Sequence, residues 1–116
     1  MTVTSRWEIY LTDFGPRRGH APALEHPALI LSSDLINRQG ITVTVAPFHG
    51  KLRRLYPAEV IIQPEGTGLD TASILQVQMI HTVDQGKLRS YIGEIRDPID
   101  RRAIEAAVSL ALGDEQ

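Results

Sequence analysis

Four histidines hold most of the acid–base chemistry available to this sequence: His20, His26, His49 and His81. Unmodified imidazole titrates near neutral pH and is the side chain most often used as a general acid or base. Each of the four lies in or beside a turn-rich stretch at the edge of an apolar segment, where a small sheet normally carries its catalytic groups. A solvated loop residue is the simpler reading of any one of them. No two stand at the i, i+4 spacing of a helical zinc motif, and no cluster of carboxylates accompanies them, so no metal is expected. Arg17 and Arg18 adjoin His20, while Lys51, Arg53 and Arg54 follow His49. Neither loop contains an Asp or Glu. Cations beside imidazole suit a phosphodiester, which must be held while its transition-state charge is stabilised. Lys87 and Arg89 either extend that patch or decorate a turn.

Other chemistries are missing from the sequence. It has no Gly-x-Ser-x-Gly elbow, no Walker loop, no dinucleotide fingerprint and no His-Glu-x-x-His. Gly66-Thr67-Gly68 is too short for a phosphate loop. With aromatic residues at 5%, a stacking platform reduces to Tyr10, Phe48 and Tyr56.

The elements that must position these groups read as mainly β. Trp7, Ile9 and Leu11 alternate with Glu8, Tyr10 and Thr12 at the period of a half-buried strand. Ala28 to Leu31 is a short apolar run, and Ile41, Val43 and Val45 alternate with threonines. Val60 to Ile62 is a further strand, and Ile74-Leu75 is expected to continue as one through Val77 and Met79. Ser33 to Arg38 fits a short helix capped by Ser32 or Ser33 and closed by Gly40. Asp97-Pro98 is an N-cap followed by proline at the first helical position. Behind it, Ala103, Ile104, Ala107, Val108, Ala111 and Leu112 form an apolar stripe that Gly113 ends. The fold class is therefore α+β, mainly β: a small barrel-like sheet with helices on one side.

Composition sets the outer bounds. The 116 residues make one domain, 1–116, with 12 basic and 14 acidic side chains and a formal net charge of −2. The absence of cysteine excludes disulfides and thiolate metal sites. No apolar run approaches the ~18 residues of a membrane helix, and the first residues hold no h-region, so a cytoplasmic protein is expected. The acidic balance argues against a generic nucleic-acid coat but allows a local basic patch.

The order of motifs resembles the MazF/PemK/Kid toxin family. Glu8-Ile9-Tyr10-Leu11-Thr12-Asp13-Phe14-Gly15-Pro16, Gly19-His20, His26-Pro27-Ala28-Leu29-Ile30-Leu31-Ser32, Asp34 and Asn37 are similar to its N-terminal half. Thr42 to Pro47 resembles its central strand, Tyr56-Pro57-Ala58-Glu59-Val60 the segment after its basic loop, and Ile80-His81-Thr82-Val83-Asp84 the run after its last long strand. The likeness spans about residues 6 to 112.

That resemblance implies a CcdB/MazF-like, SH3-type small barrel with a short helix after the second strand and a C-terminal helix. It implies a homodimeric toxin that cuts single-stranded RNA without metal or other cofactor. The 2′-OH attacks the adjacent phosphate, leaving a 2′,3′-cyclic phosphate and a 5′-OH. It also implies an antitoxin that inhibits through an acidic disordered tail. This chain departs from the family at the site: His26 replaces a catalytic Arg, His49 a catalytic Thr or Ser, and His81 an Arg. Gln78-Met79 stands where relatives keep an acidic or amide pair. One reading is a switch to histidine acid–base chemistry, with His26 and His49 as the pair and His20 as third partner. Arg17, Arg18, Lys51, Arg53, Arg54 and His81 would then hold RNA and Gln78 would read a base edge. The other reading is a site that binds an antitoxin or another protein but no longer cuts.

Overall fold

A computed structural model gives the architecture and describes residues 4–16, 19 and 24–115. Arg17, Arg18 and His20 lie outside the described residues. Among the described residues, seven strands and two helices follow in the order β1 (Glu8–Asp13), β2 (Glu25–Ile30), α1 (Asp34–Asn37), β3 (Thr42–His49), β4 (Glu59–Ile62), β5 (Ser73–Gln76), β6 (His81–Asp84), β7 (Leu88–Glu94) and α2 (Pro98–Ala111). Every strand pairing is antiparallel. The ladder runs β4-β5-β3-β2-β1-β7, with β6 also on β3.

Strand β3 organises the sheet. Val45 pairs with Ile30 of β2 on one edge and with His81 of β6 on the other. Further along β3, Phe48 and His49 pair with Leu75 and Ile74 of β5. The expected continuation of β5 through Val77 and Met79 is instead a 3-10 turn, Val77–Met79, that ends β5 and lets β6 begin. A straight extension would have kept the chain on the β5 line; the turn lets one edge of β3 serve two strands.

The sheet is mainly β with the two expected helices, but its ladder does not close, since β4 and β7 do not pair among the described residues. A close backbone contact between Thr67-Gly68 and Ile92-Gly93 joins the two ends instead. A Cβ on Gly93 would fall on the Thr67 carbonyl, and one on Gly68 on the Ile92 carbonyl. Glycine is therefore required at both positions.

Burial follows strand alternation. Leu29, Ala46, Phe48, Leu75 and Ile95 face the main core, which α2 covers with Ile104 and Ala107. Ala28, Ile30, Val43 and Val45 face the other way and make a smaller cluster with Tyr10, Phe14, Val83 and Leu88. Strands β2 and β3 are thus apolar on both faces, which explains the unbroken run Ala28 to Ile30. Two expectations of burial fail. Leu11 is only half-buried while Thr12 is fully buried, because Thr12 pairs with His26 and shares the smaller-cluster face with Tyr10 and Ala28. On α2, Ala103 and Leu112 are exposed, so the stripe is narrower than its spacing suggested.

Helix ends behave as read. The Asp97 carboxylate accepts from the Ile99 N–H at 2.8 Å, with Pro98 opening the helix. Ser33 caps α1 by accepting from Ile36 N–H, and Gly40 follows in the left-handed region. Among the described residues no helix is long and apolar enough to cross a membrane.

Candidate functional site

Alternation places three histidines on the face of the smaller cluster. Ala28 and Ile30 point there from β2, and His26 is two residues earlier on the same side. Val43 and Val45 point there from β3, while Ala46 and Phe48 point to the main core, so His49 also falls on the smaller-cluster face. Val83 puts His81 of β6 on that face too. The His81 ring lies against Phe14 with centroids 5.0 Å apart.

Two of these rings are anchored to backbone. Nδ1 of His26 is 3.2 Å from the carbonyl oxygen of Phe48, the residue before His49. Nδ1 of His81 is 2.8 Å from the Met79 carbonyl oxygen. A carbonyl oxygen only accepts, so both Nδ1 atoms carry the proton and both Nε2 atoms are left for other partners. His49 is half-buried and its ring makes no hydrogen bond among the described residues. His26 and His49 are therefore neighbours across β2 and β3, while His81 sits opposite Val45, farther along β3.

The loop after His49 is less free than its sequence suggested. Arg53 forks onto Glu59, Nη1 to Oε1 at 2.8 Å and Nη2 to Oε2 at 2.9 Å. The Tyr56 N–H donates to the same carboxylate at 2.8 Å, and Gln78 Nε2 donates at 2.5 Å. The Glu59 side chain is fully buried, and the Arg53 guanidinium, with the Tyr56 N–H and Gln78, holds its pKa down at about 2 against the opposing effect of burial. Arg53 also lies 4.8 Å from the Tyr56 ring centroid. Arg53 and Gln78 thus spend their donors inward on Glu59, whereas the sequence had assigned both to RNA. Lys51 and Arg54 are exposed and form no ion pair among the described residues. Glu59 itself was missed. The signal available was a carboxylate opening an otherwise apolar strand, next to Val60-Ile61-Ile62.

A second charged group borders the histidine face. Arg89 of β7 reaches Asp13 at 3.0 Å and Glu25 at 3.7 Å, tying β7 to the ends of β1 and β2. The Gly15 N–H donates to Asp13 at 2.8 Å and, with Lys87 and Arg89 nearby, keeps that carboxyl below its ordinary range. An open hollow of about 360 Å³ lies beside His81, between Asp13, Phe14, Thr42 and Lys87. Among the described residues, no three His, Cys, Asp or Glu side chains gather into a group that could hold a metal.

The arrangement brings two imidazoles next to each other at one end of β2 and β3, with the exposed Lys51 and Arg54 on the loop that follows. The profile of the family described as PemK-like, MazF-like toxin of type II toxin-antitoxin system matches residues 5–112. The endoribonuclease MazF of Staphylococcus saprophyticus is 27% identical over 109 residues, covering 93% of this chain and 90% of that protein. A mycobacterial endoribonuclease solved in complex with its cognate antitoxin superposes with a TM-score of 0.77 at 27% identity, covering 95% of each chain. MazF from Deinococcus radiodurans gives a TM-score of 0.79 at 20% identity, over 97% of this chain and 99% of that one, and so shares the fold.

Proposed function

The chain belongs to the PemK-like, MazF-like toxins of type II toxin–antitoxin systems, and on that premise we propose an endoribonuclease that cuts single-stranded RNA through a histidine pair. The ribose 2′-OH attacks its own 3′-phosphate, the 5′-oxygen departs, and the ends are a 2′,3′-cyclic phosphate and a 5′-OH. The observation that carries this reading is the adjacency of His26 and His49, with the ring of the first bonded to the carbonyl that precedes the second. Internal attack needs a base for the 2′ proton and an acid for the leaving oxygen, and no more protein chemistry than that.

Lys51 and Arg54, which form no ion pair among the described residues, hold phosphates on either side of the scissile bond. Arg17 and Arg18 are further cations for RNA and His20 a third imidazole, a role assigned from the sequence alone. His81, beside its hollow, meets a neighbouring nucleotide. Arg53 and Gln78 act at one remove, by fixing the loop that carries Lys51 and Arg54.

The mycobacterial endoribonuclease bound to its antitoxin supports a partner of the same kind here. An acidic, disordered tail laid along the basic loop would compete with RNA for the same cations. The active form is a homodimer.

Incubating the purified protein with a mixed-sequence RNA in the presence of a chelator, and mapping the ends, tests the reading. Defined cuts bearing cyclic phosphate are expected. Intact RNA together with tight binding of an acidic peptide would instead identify a binding protein that has lost its chemistry.

A further inference from the structure

The His26 contact says more than that two imidazoles are close. A neutral imidazole exists in two tautomers, and only the one protonated on Nδ1 presents a lone pair at Nε2. An imidazolium carries protons on both nitrogens and has no tautomer to choose. A histidine that serves as base therefore gains from a fixed acceptor at Nδ1, and a histidine that serves as acid gains much less. His26 has that acceptor in the Phe48 carbonyl at 3.2 Å. The His49 ring has no hydrogen-bond partner among the described residues.

Resting on the ribonuclease reading above, we propose that His26 is the general base, acting through Nε2, and that His49 is the general acid. His81 has the same anchoring device, on the Met79 carbonyl. It pairs with Val45, however, four positions along β3 from His49, or roughly 13 Å at the rise of a strand. That is too far for His81 and His49 to serve the two oxygens of one phosphate.

Nε2 of His26 takes the 2′-OH proton while the 2′-oxygen bonds to phosphorus. The bond from phosphorus to the 5′-oxygen breaks, its electron pair stays on that oxygen, and the His49 imidazolium supplies a proton to it. His26 is left protonated and His49 neutral, and exchange with water restores both.

Sulfur substitution separates the two roles. A short RNA carrying the cut site mapped for the wild-type protein is compared with the same RNA in which sulfur replaces the scissile 5′-oxygen. A thiolate is a far better leaving group than an alkoxide and departs without a proton. On the oxygen substrate, His26→Ala and His49→Ala are each expected to lose on the order of 10²–10⁴-fold in rate. On the sulfur substrate, His49→Ala is expected to recover to within about tenfold of the wild type, the remnant of that loss, while His26→Ala stays slow.

His26→Asn guards against misfolding, because its amide can still donate towards the Phe48 carbonyl but supplies no base. It is expected to bind a 2′-deoxy form of the RNA as the wild type does and to cut neither substrate. Rescue of the His26 variants in place of His49→Ala, or equal behaviour of both, overturns the assignment. Wild-type protein that leaves the oxygen substrate intact overturns the ribonuclease reading itself, a different result from reversed rescue.

Discussion

Arg53 and Glu59 meet as a two-pronged pair, at 2.8 and 2.9 Å, with the carboxylate fully buried and the guanidinium about one-third exposed. The pair closes the turn between β3 and β4, and Gln78 joins it from the 3-10 turn after β5. The loop just before β4 and a turn 19 residues further on are thereby pinned to a single carboxylate. The basic loop that follows His49 owes its shape to a residue of opposite charge.

Replacing that carboxylate should cost stability. Glu59→Gln removes the charge opposite Arg53 and leaves its fork without an ionic partner, for an expected loss of about 2–4 kcal/mol in urea unfolding. The pH dependence follows from the same group. Its folded pKa, about 2, lies below the ordinary 4.5. Its contribution is therefore complete above about pH 5 and disappears as pH falls through the range down to 2. The wild type should lose roughly 3 kcal/mol over that window from this group alone, and Glu59→Gln should lack that part of the acid limb. An unchanged midpoint in Glu59→Gln at pH 7 would show that the pair is not holding the loop.

Lys51 and Arg54 should behave differently from Arg53. Lys51→Ala and Arg54→Ala are expected to leave the unfolding midpoint within about 0.5 kcal/mol of the wild type. Each should weaken binding to an uncleavable single-stranded RNA and lower the slope of log K against log salt by about 0.7, the value for one released counterion on a single strand. Arg53→Ala should show mainly the stability loss. Titrations at several salt concentrations, combined with thermal melts, distinguish the two patterns. An unaltered salt slope in both Lys51→Ala and Arg54→Ala would remove them from the RNA path.

A reaction run by one neutral and one protonated imidazole has a characteristic pH profile. The cleavage rate should rise with pH as the base loses its proton and fall again as the acid loses its own. His26→Ala should flatten one limb and His49→Ala the other. Single-turnover rates across the range in which imidazoles titrate provide the check, and near-wild-type cleavage by both variants would sink the histidine site.

The joining of the two sheet ends can be tested without RNA. Gly93→Ala places a methyl group on the Thr67 carbonyl, and the resulting overpacking should cost about 2–3 kcal/mol. For a domain of this size that corresponds to a fall in Tm of about 10 °C. A melting temperature equal to the wild type would mean that the segment after β4 does not rest on β7.

The parts of the fold legible in the sequence are those set by neighbours in the chain. Asp97-Pro98 and Ser33 announce their helices because caps bond to amides two or three residues ahead. Strands β2 and β3 show as apolar or alternating runs because both of their faces are covered. The edge strands β6 and β7 carry no comparable signal in the sequence. Thr82, Asp84, Arg89, Ser90 and Tyr91 are exposed, so the alternation that marks a strand is diluted by solvent-facing residues. The 3-10 turn at Val77–Met79 was equally silent, since its apolar residues extend the pattern of β5 while its backbone leaves it.

Residue types and local spacing alone determined that imidazoles and cations adjoin one another, that the chain is mainly β, and where its helices begin. Those properties depend on side-chain chemistry and on bonds a few residues long. Tertiary structure alone decided which histidines are neighbours and which cations, among the described residues, form ion pairs. The loop from Gly50 to Pro57 contains no acid in sequence, yet folding brings Glu59 and Gln78 to Arg53, because a buried carboxylate must find donors wherever the chain can supply them. His26 and His49 are 23 positions apart in the chain and become neighbours only when β2 lies beside β3, a pairing fixed by the cores on the two faces of the sheet.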